Sequence, residues 1–246
     1  MSLKKRVAVV TGGGKGIGRA VSVQLARDGA AVAVWDLDGG AAEETVALIG
    51  KEGNRALACV GDAASKAGIG ASLARTRTSL GQVTILVNNA GMTGFVPFTD
   101  ITEEALDRML AINLKGPFLC AQAVIPDMLL AGWGRIVNIS SSSAQSGAPV
   151  MSHYVASKGG VIGLTKALAI EYAARGITVN NVPPGFVDTP MLRSSPVDVD
   201  AFAAASPMKR AGKPEDIAAA CSYLVSEAAA YVTGQTISVN GGRYLF

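Results

Sequence analysis

The sequence predicts an α/β chain: a doubly wound, parallel, seven-stranded sheet in a single domain. Three observations carry that reading. Seven short runs, at 7–10, 31–35, 56–60, 84–87, 136–139, 178–182 and 236–239, are nearly continuous in apolar and β-branched residues, as strands buried on both faces are. Longer helical patterns at 17–27, 41–49, 66–79, 103–113, 117–130, 152–174 and 214–225 separate them, and repeated β-α-β units build a parallel sheet covered on both faces. The 246 residues show no second composition regime, no linker and no internal repeat, a length that one large core accommodates.

The first strand runs into Thr11-Gly12-Gly13-Gly14-Lys15-Gly16-Ile17-Gly18 and then a helix. The spacing is Gly12-x-x-x-Gly16-x-Gly18 rather than G-x-G-x-x-G. The physics is shared: glycines allow positive φ and close approach of backbone to a pyrophosphate, and a helix N-terminus supplies N–H groups and positive potential. The second strand ends at Trp35-Asp36-Leu37-Asp38. An acid some 20 residues past such a loop accepts hydrogen bonds from adenosine ribose hydroxyls and repels a 2′-phosphate. Asp36 therefore points to NAD; Lys15 argues weakly for NADP.

Asn88-Asn89-Ala90-Gly91 ends the fourth strand, and Asn113 closes the helical pattern after it. The fifth strand runs into Ser140-Ser141-Ser142-Ser143. Thirteen residues beyond Ser141, Tyr154 and Lys158 lie at i, i+4 on one face of a helical pattern. The sixth strand leads into Pro183-Pro184-Gly185. The Pro- and Ser-rich stretch 188–212 is long enough to be a substrate lid. Gly29, Gly53, Gly81, Gly132 and Gly176 stand just past helix ends, as C-cap logic expects.

Composition narrows the function classes. Hydrophobic residues make up 49% and charged residues 17%, which excludes disorder. The net charge of +3 is spread out, with Lys4-Lys5-Arg6 the one basic run, so no nucleic-acid partner is expected. Three scattered cysteines lack metal spacing and fit buried thiols in a reducing cytoplasm. No signal peptide or membrane span is expected, because the apolar stretch 7–10 is short and the uncharged stretches 78–99 and 136–157 contain Asn-Asn, Pro or serine runs. His153 and Ser141 do not make a hydrolase, because there is no G-x-S-x-G elbow and no orienting acid nearby.

Taken together, the glycine loop, Asn-Asn-Ala-Gly, the serine and Tyr-x-x-x-Lys resemble the short-chain dehydrogenase/reductase family, from Val7 to about Gly242. The resemblance implies a seven-stranded Rossmann sheet. It implies Tyr154 as general acid/base, Lys158 as ribose ligand and Tyr activator, Ser141 as carbonyl orienter, and Asn113 as holder of a water linking Lys158 to solvent. Further cofactor contacts are implied at Leu37, Asp62, Ala63, Asn89, Ala90 and Gly91, and at Pro184, Gly185, Val187 and Thr189 around the nicotinamide. Ser141, Ser143, Tyr154 and Met191 would meet the substrate.

Magnitudes fit such a role. Bringing a tyrosine from pKa about 10 to ~7 takes roughly 4 kcal/mol, and an ammonium at ~5 Å supplies about 3 kcal/mol at an effective dielectric of 20. Met191, Leu192, Val197, Val199, Phe202 and Met208 in the lid, with Thr93, Phe95, Gln145 and Met151, predict a small hydrophobic ketone or secondary alcohol. Arg193 is the exception, a lid cation able to reach a carboxylate.

The alternative activity is an NADPH-dependent 3-oxoacyl-carrier-protein or acyl-CoA reductase. Carrier docking is expected to use basic residues before the fifth strand, where this chain has the uncharged segment 129–134 and only Arg175 nearby. A non-enzymatic sensor would be expected to lose Tyr154 or Lys158. The family resemblance also implies a homotetramer, packed through helices 117–130 and 152–174; the ending Tyr244-Leu245-Phe246 is too apolar for a loose tail and is expected at a subunit contact.

Overall fold

The computed structural model describes residues 2–245; Phe246, at the end of the apolar C-terminal segment, lies outside them. The strands are β1 (Val7–Thr11), β2 (Ala31–Asp36), β3 (Ala56–Val60), β4 (Ile85–Asn88), β5 (Gly134–Ile139) and β6 (Ile177–Val182). They form one parallel sheet in the order β3-β2-β1-β4-β5-β6. The long helices are α1 (Gly16–Arg27), α2 (Gly39–Lys51), α3 (Lys66–Ser79), α4 (Glu103–Leu110) and α5 (Gly116–Ala131). After the short α6 (Ser143–Ser146) come α7 (Ser152–Tyr172), α8 (Pro190–Arg193), α9 (Val199–Ala205) and α10 (Pro214–Val225).

Alternation along the strands explains why both faces are apolar. Ala8 and Val10 of β1 join Val21 and Leu25 of α1 and Ile217 and Leu224 of α10 in one core cluster. Val7 and Val9 join Leu73 of α3, Val124 and Met128 of α5 and Ala169 of α7 in the other. Strand order reverses between β1 and β4, which opens a crevice at the carboxyl ends of these strands. The glycine loop leaves β1 there, and Asn89-Ala90-Gly91 leaves β4.

Two expectations are corrected. Six strands, not seven, are present among the described residues: segment 236–239 contributes only the bridges Asn181↔Thr236 and Pro184↔Val239. The reason is chemical. The Asn181 N–H donates to the Gln235 carbonyl, the Ile237 N–H to the Asn181 carbonyl, and the Gly185 N–H to the Val239 carbonyl. The register then calls for an N–H of residue 183 facing the Ile237 carbonyl, and Pro183 has none.

The helical patterns expected at 103–113 and 117–130 are also one continuous helix, joined by a π-helical turn, Ala111–Lys115. The Gly116 N–H bonds the Ala111 carbonyl five residues back. The wider turn carries the chain past Pro117, which cannot donate to the carbonyl of Asn113. By length and composition alone this helix, Glu103–Ala131, is apolar enough to cross a membrane, but its Cys120, Val124 and Met128 pack in the sheet core.

Candidate active site

A cavity of about 530 Å³ opens at the strand-order reversal. The glycine loop forms one end. Gly12 and Gly16 take φ of +61° and +51°, and a Cβ on Gly18 would overlap the Gly12 carbonyl at 2.0 Å, so each needs glycine. Helix α1 starts with no side-chain cap from Lys15, which leaves its first N–H groups, at Gly16, Ile17 and Gly18, free to meet an anion. Asn89 ties the loop to β4: its amide donates to the carbonyls of Thr11 and Gly12, both at 3.0 Å.

Asp36, at the end of β2, lines the same end of the cavity. Its Oδ2 accepts from the Gly14 N–H at 2.8 Å and its Oδ1 from the Asp38 N–H at 3.0 Å. The Lys15 ammonium reaches Asp38 instead, at 2.6 Å. An uncapped helix start, a glycine cradle and a strand-end carboxylate together fit a dinucleotide, with pyrophosphate on the loop and ribose toward Asp36.

At the other end Ser141, Tyr154 and Lys158 share the cavity wall. Helix α7 carries Tyr154 and Lys158 and is anchored from below by a buried amide chain. Asn88 donates to Asn138 at 2.8 Å, and Asn138 donates to Thr165 of α7 at 2.9 Å. The Lys158 ammonium donates to the Ile139 carbonyl at 3.0 Å. A Cβ on Gly91 would stand 3.2 Å from that nitrogen and 3.1 Å from Asn113 Oδ1, so the crowded spot leaves little room for a larger residue.

Among the four serines, Ser141 is the one whose hydroxyl acts on the Tyr154 phenol, favouring its ionised form. It also accepts the Ser143 N–H at 3.2 Å. Burial pushes the phenol above its ordinary range, and the Ser141 hydrogen bond draws it back only in part. Burial also pulls Lys158 down to about 8. Desolvation is thus the largest influence on the phenol, and it also disfavours the lysine charge expected to act on it.

The other expected residues fall into two groups. Ile17, Ala90, Pro184, Gly185, Val187, Thr189, Ser143 and Met191 line the cavity. Gly14, Gly18, Leu37, Asp62, Ala63 and Asn113 do not. Leu37 is 70% exposed, the Asp62 carboxylate accepts the Ala64 N–H, and the Ala63 carbonyl faces Gly116 and Cys120. Asn113 is fully buried in the π turn. Its amide exchanges hydrogen bonds with the Met92 backbone at 2.8 and 2.9 Å and donates to Ser157 at 3.1 Å. Those bonds fix loop 91–92 against α7. His153 is buried beside Gly94 and off the cavity wall.

The stretch 188–212 folds as α8 and α9, and Met191, Leu192, Val197 and Phe202 from it line the cavity; Val199, Met208 and Arg193 do not. Arg193 forks onto Asp188, with both contacts at 2.6 Å. Phe186 and Arg243 are among the lining residues that escaped the sequence reading. Arg243 follows Gly241-Gly242, and the Pro184↔Val239 bridge helps return that segment to the site.

Comparison with known proteins agrees with this geometry. Residues 12–243 match a family model described as Enoyl-(Acyl carrier protein) reductase. A (3R)-3-hydroxyacyl-CoA dehydrogenase of Mus musculus is 41% identical over 256 residues, covering 100% of this chain and 98% of that protein. A 3-oxoacyl-acyl-carrier-protein reductase of Pseudomonas aeruginosa is 38% identical over 246 residues, covering 100% of both. The crystal structure of a 3-ketoacyl-(acyl-carrier-protein) reductase from Brucella melitensis complexed with NADH superposes with a TM-score of 0.94 at 34% identity, covering 99% of this chain and 100% of that one.

Proposed function

This chain belongs to the short-chain dehydrogenase/reductase family and is an oxidoreductase acting on hydroxyl or keto groups, and from that premise we propose that it interconverts a secondary alcohol and a ketone with NAD as cofactor. The observation that carries the reading is a single cavity lined by Ser141, Tyr154 and Lys158 together with the glycine loop and Asp36. When bound, the nicotinamide supplies or accepts the hydride.

This chain's residues do the rest. Tyr154 gives its proton to the carbonyl oxygen in reduction and takes it back in oxidation. Ser141 donates to the same oxygen and stabilises charge developing on it. Lys158 holds the cofactor ribose and contributes positive potential near the phenol. Asp36 accepts from the adenosine ribose hydroxyls, which favours NAD over NADP. The apolar surface of α8 and α9 suits a hydrophobic substrate body and excludes water from the reacting carbon.

The names of the relatives favour a second reading, a 3-oxoacyl or 3-hydroxyacyl thioester as substrate, for which the sequence expectation is NADPH. Against NADPH stand Asp36 and the engagement of Lys15 by Asp38. Exposed apolar side chains on two helices, Phe118 of α5 and Ile170 of α7, support a homotetramer. The buried free thiols of Cys59, Cys120 and Cys221 suit the cytoplasm. The test is turnover of simple ketones, secondary alcohols and acyl thioesters with both cofactors, in wild type and Tyr154→Phe. Tyr154→Phe is expected to lose nearly all turnover and still bind reduced cofactor by fluorescence titration. Near wild-type turnover in Tyr154→Phe sinks the assignment.

A further inference from the structure

Three cations line the main cavity, and two are engaged: Lys15 by Asp38 and Lys158 by the Ile139 carbonyl. The third is Arg243. Among the described residues its guanidinium has no ion pair and no hydrogen bond; its contacts are aromatic faces. The guanidinium carbon lies 3.9 Å from the Phe186 ring centroid and 5.9 Å from that of Phe202, and the two rings are 4.3 Å apart. Three acids on the neighbouring segments are engaged elsewhere. Asp188 is held by Arg193, Asp216 by Arg210, and Asp198 caps α9.

The rings hold the guanidinium but satisfy none of its five N–H donors, and a planar fork of that kind matches a carboxylate. Its partial burial, which pulls the guanidinium below its usual range, strengthens any charged contact made there. We propose that Arg243 is a specificity-determining residue that binds a carboxylate on the substrate. The substrate is then an oxo or hydroxy acid. Its apolar middle lies along Leu192, Val197 and Phe202, and its reacting carbon meets Tyr154 and Ser141. The inference rests on the oxidoreductase reading and deepens it. It also replaces the expectation of an uncharged substrate, which looked to Arg193 for any carboxylate contact, whereas Arg193 is spent on Asp188.

The test begins with NADH titration by fluorescence in wild type, Arg243→Met and Arg243→Lys. Loss of NADH binding in the wild type defeats the oxidoreductase reading itself. NADH-loaded enzyme is then titrated calorimetrically with straight-chain carboxylates of four to ten carbons and with their methyl esters. The wild type is expected to favour acid over ester by about tenfold or more. Arg243→Met should bring that ratio close to one, and Arg243→Lys should keep part of it. A structural role alone would weaken acid and ester together. A wild-type ratio near one, a ratio unchanged in Arg243→Met, or binding of no member of the series by enzyme that binds NADH overturns the proposal.

Discussion

The Lys15 ammonium lies 2.6 Å from Oδ2 of Asp38, so the cation of the glycine loop is engaged by the acid two residues beyond Asp36. A 2′-phosphate at the ribose site would meet Asp36 first. At ~5 Å and an effective dielectric of ~20, that repulsion is roughly 3 kcal/mol per unit charge. The expected outcome is kcat/KM favouring NAD over NADP by about ten- to a thousandfold. Asp36→Ser should narrow the gap at least tenfold, at some loss with NAD, because Asp36 also holds the Gly14 N–H. Lys15→Ala should change the ratio little, since an exposed pair is screened. Steady-state kinetics with both cofactors decide it, and a wild type that prefers NADP refutes the role given to Asp36.

The Ser141–Tyr154 bond sets a pH dependence. Burial raises the phenol, and the Ser141 bond lowers it. Reduction needs the phenol protonated and oxidation needs it ionised. The reductive rate should therefore stay level through neutral pH, while the oxidative rate climbs as pH rises. Removing the hydroxyl in Ser141→Ala should move the oxidative limb upward by about one pH unit, since one hydrogen bond contributes about 1 kcal/mol. A limb that stays in place, measured under saturating cofactor, shows that Ser141 does not act on Tyr154.

Lys158 predicts a conflict between stability and function. Its ammonium is buried and its pKa is lowered from 10.5 to about 8. For a base depressed in the folded state, the unfolded chain binds more protons between those two values. Stability from this group therefore rises with pH across roughly 8 to 10.5 and is lowest below 8. The shift corresponds to about 3 kcal/mol, set against roughly 1 kcal/mol for the bond to Ile139. Lys158→Met should thus unfold at higher temperature than wild type at pH 7, with the gain shrinking toward pH 10, while losing turnover and cofactor affinity. Thermal melts across that range check it; a variant less stable at pH 7 contradicts it.

Pro183 should be the reason the last sheet segment breaks into two bridges. Pro183→Ala returns an N–H opposite the Ile237 carbonyl. Its gain, about 1 kcal/mol, is partly offset because proline restricts the unfolded chain. Net stability should move by less than about 1 kcal/mol. The sharper readout is hydrogen exchange: the amide that the variant gains at position 183 should be protected to the same degree as that of Asn181. Fast exchange of that new amide would place the cause elsewhere.

The sequence alone determined whatever depends on local periodicity and local spacing. Apolar runs of strand length mark β1 to β6 because a parallel strand must be apolar on both faces. Gly12, Gly16 and Gly18 are legible because glycine takes positive φ without steric cost and leaves room for backbone contact. Tyr154 and Lys158 are legible because four residues make one helical turn. The tertiary structure decided what depends on distance across the chain. The partner of Lys15 required α2 to present Asp38, and the engagement of Arg193 by Asp188 depended on how the segment after β6 turns. The state of Tyr154 was set by burial, which no spacing records. Two prolines changed the elements themselves: Pro117 at the π turn and Pro183 at the missing strand. Their effect depends on which carbonyl faces the absent N–H. Arg243 reaches the cavity because the last segment packs back beside β6 and Pro184, so its contact with Phe186 is a product of topology rather than of sequence pattern.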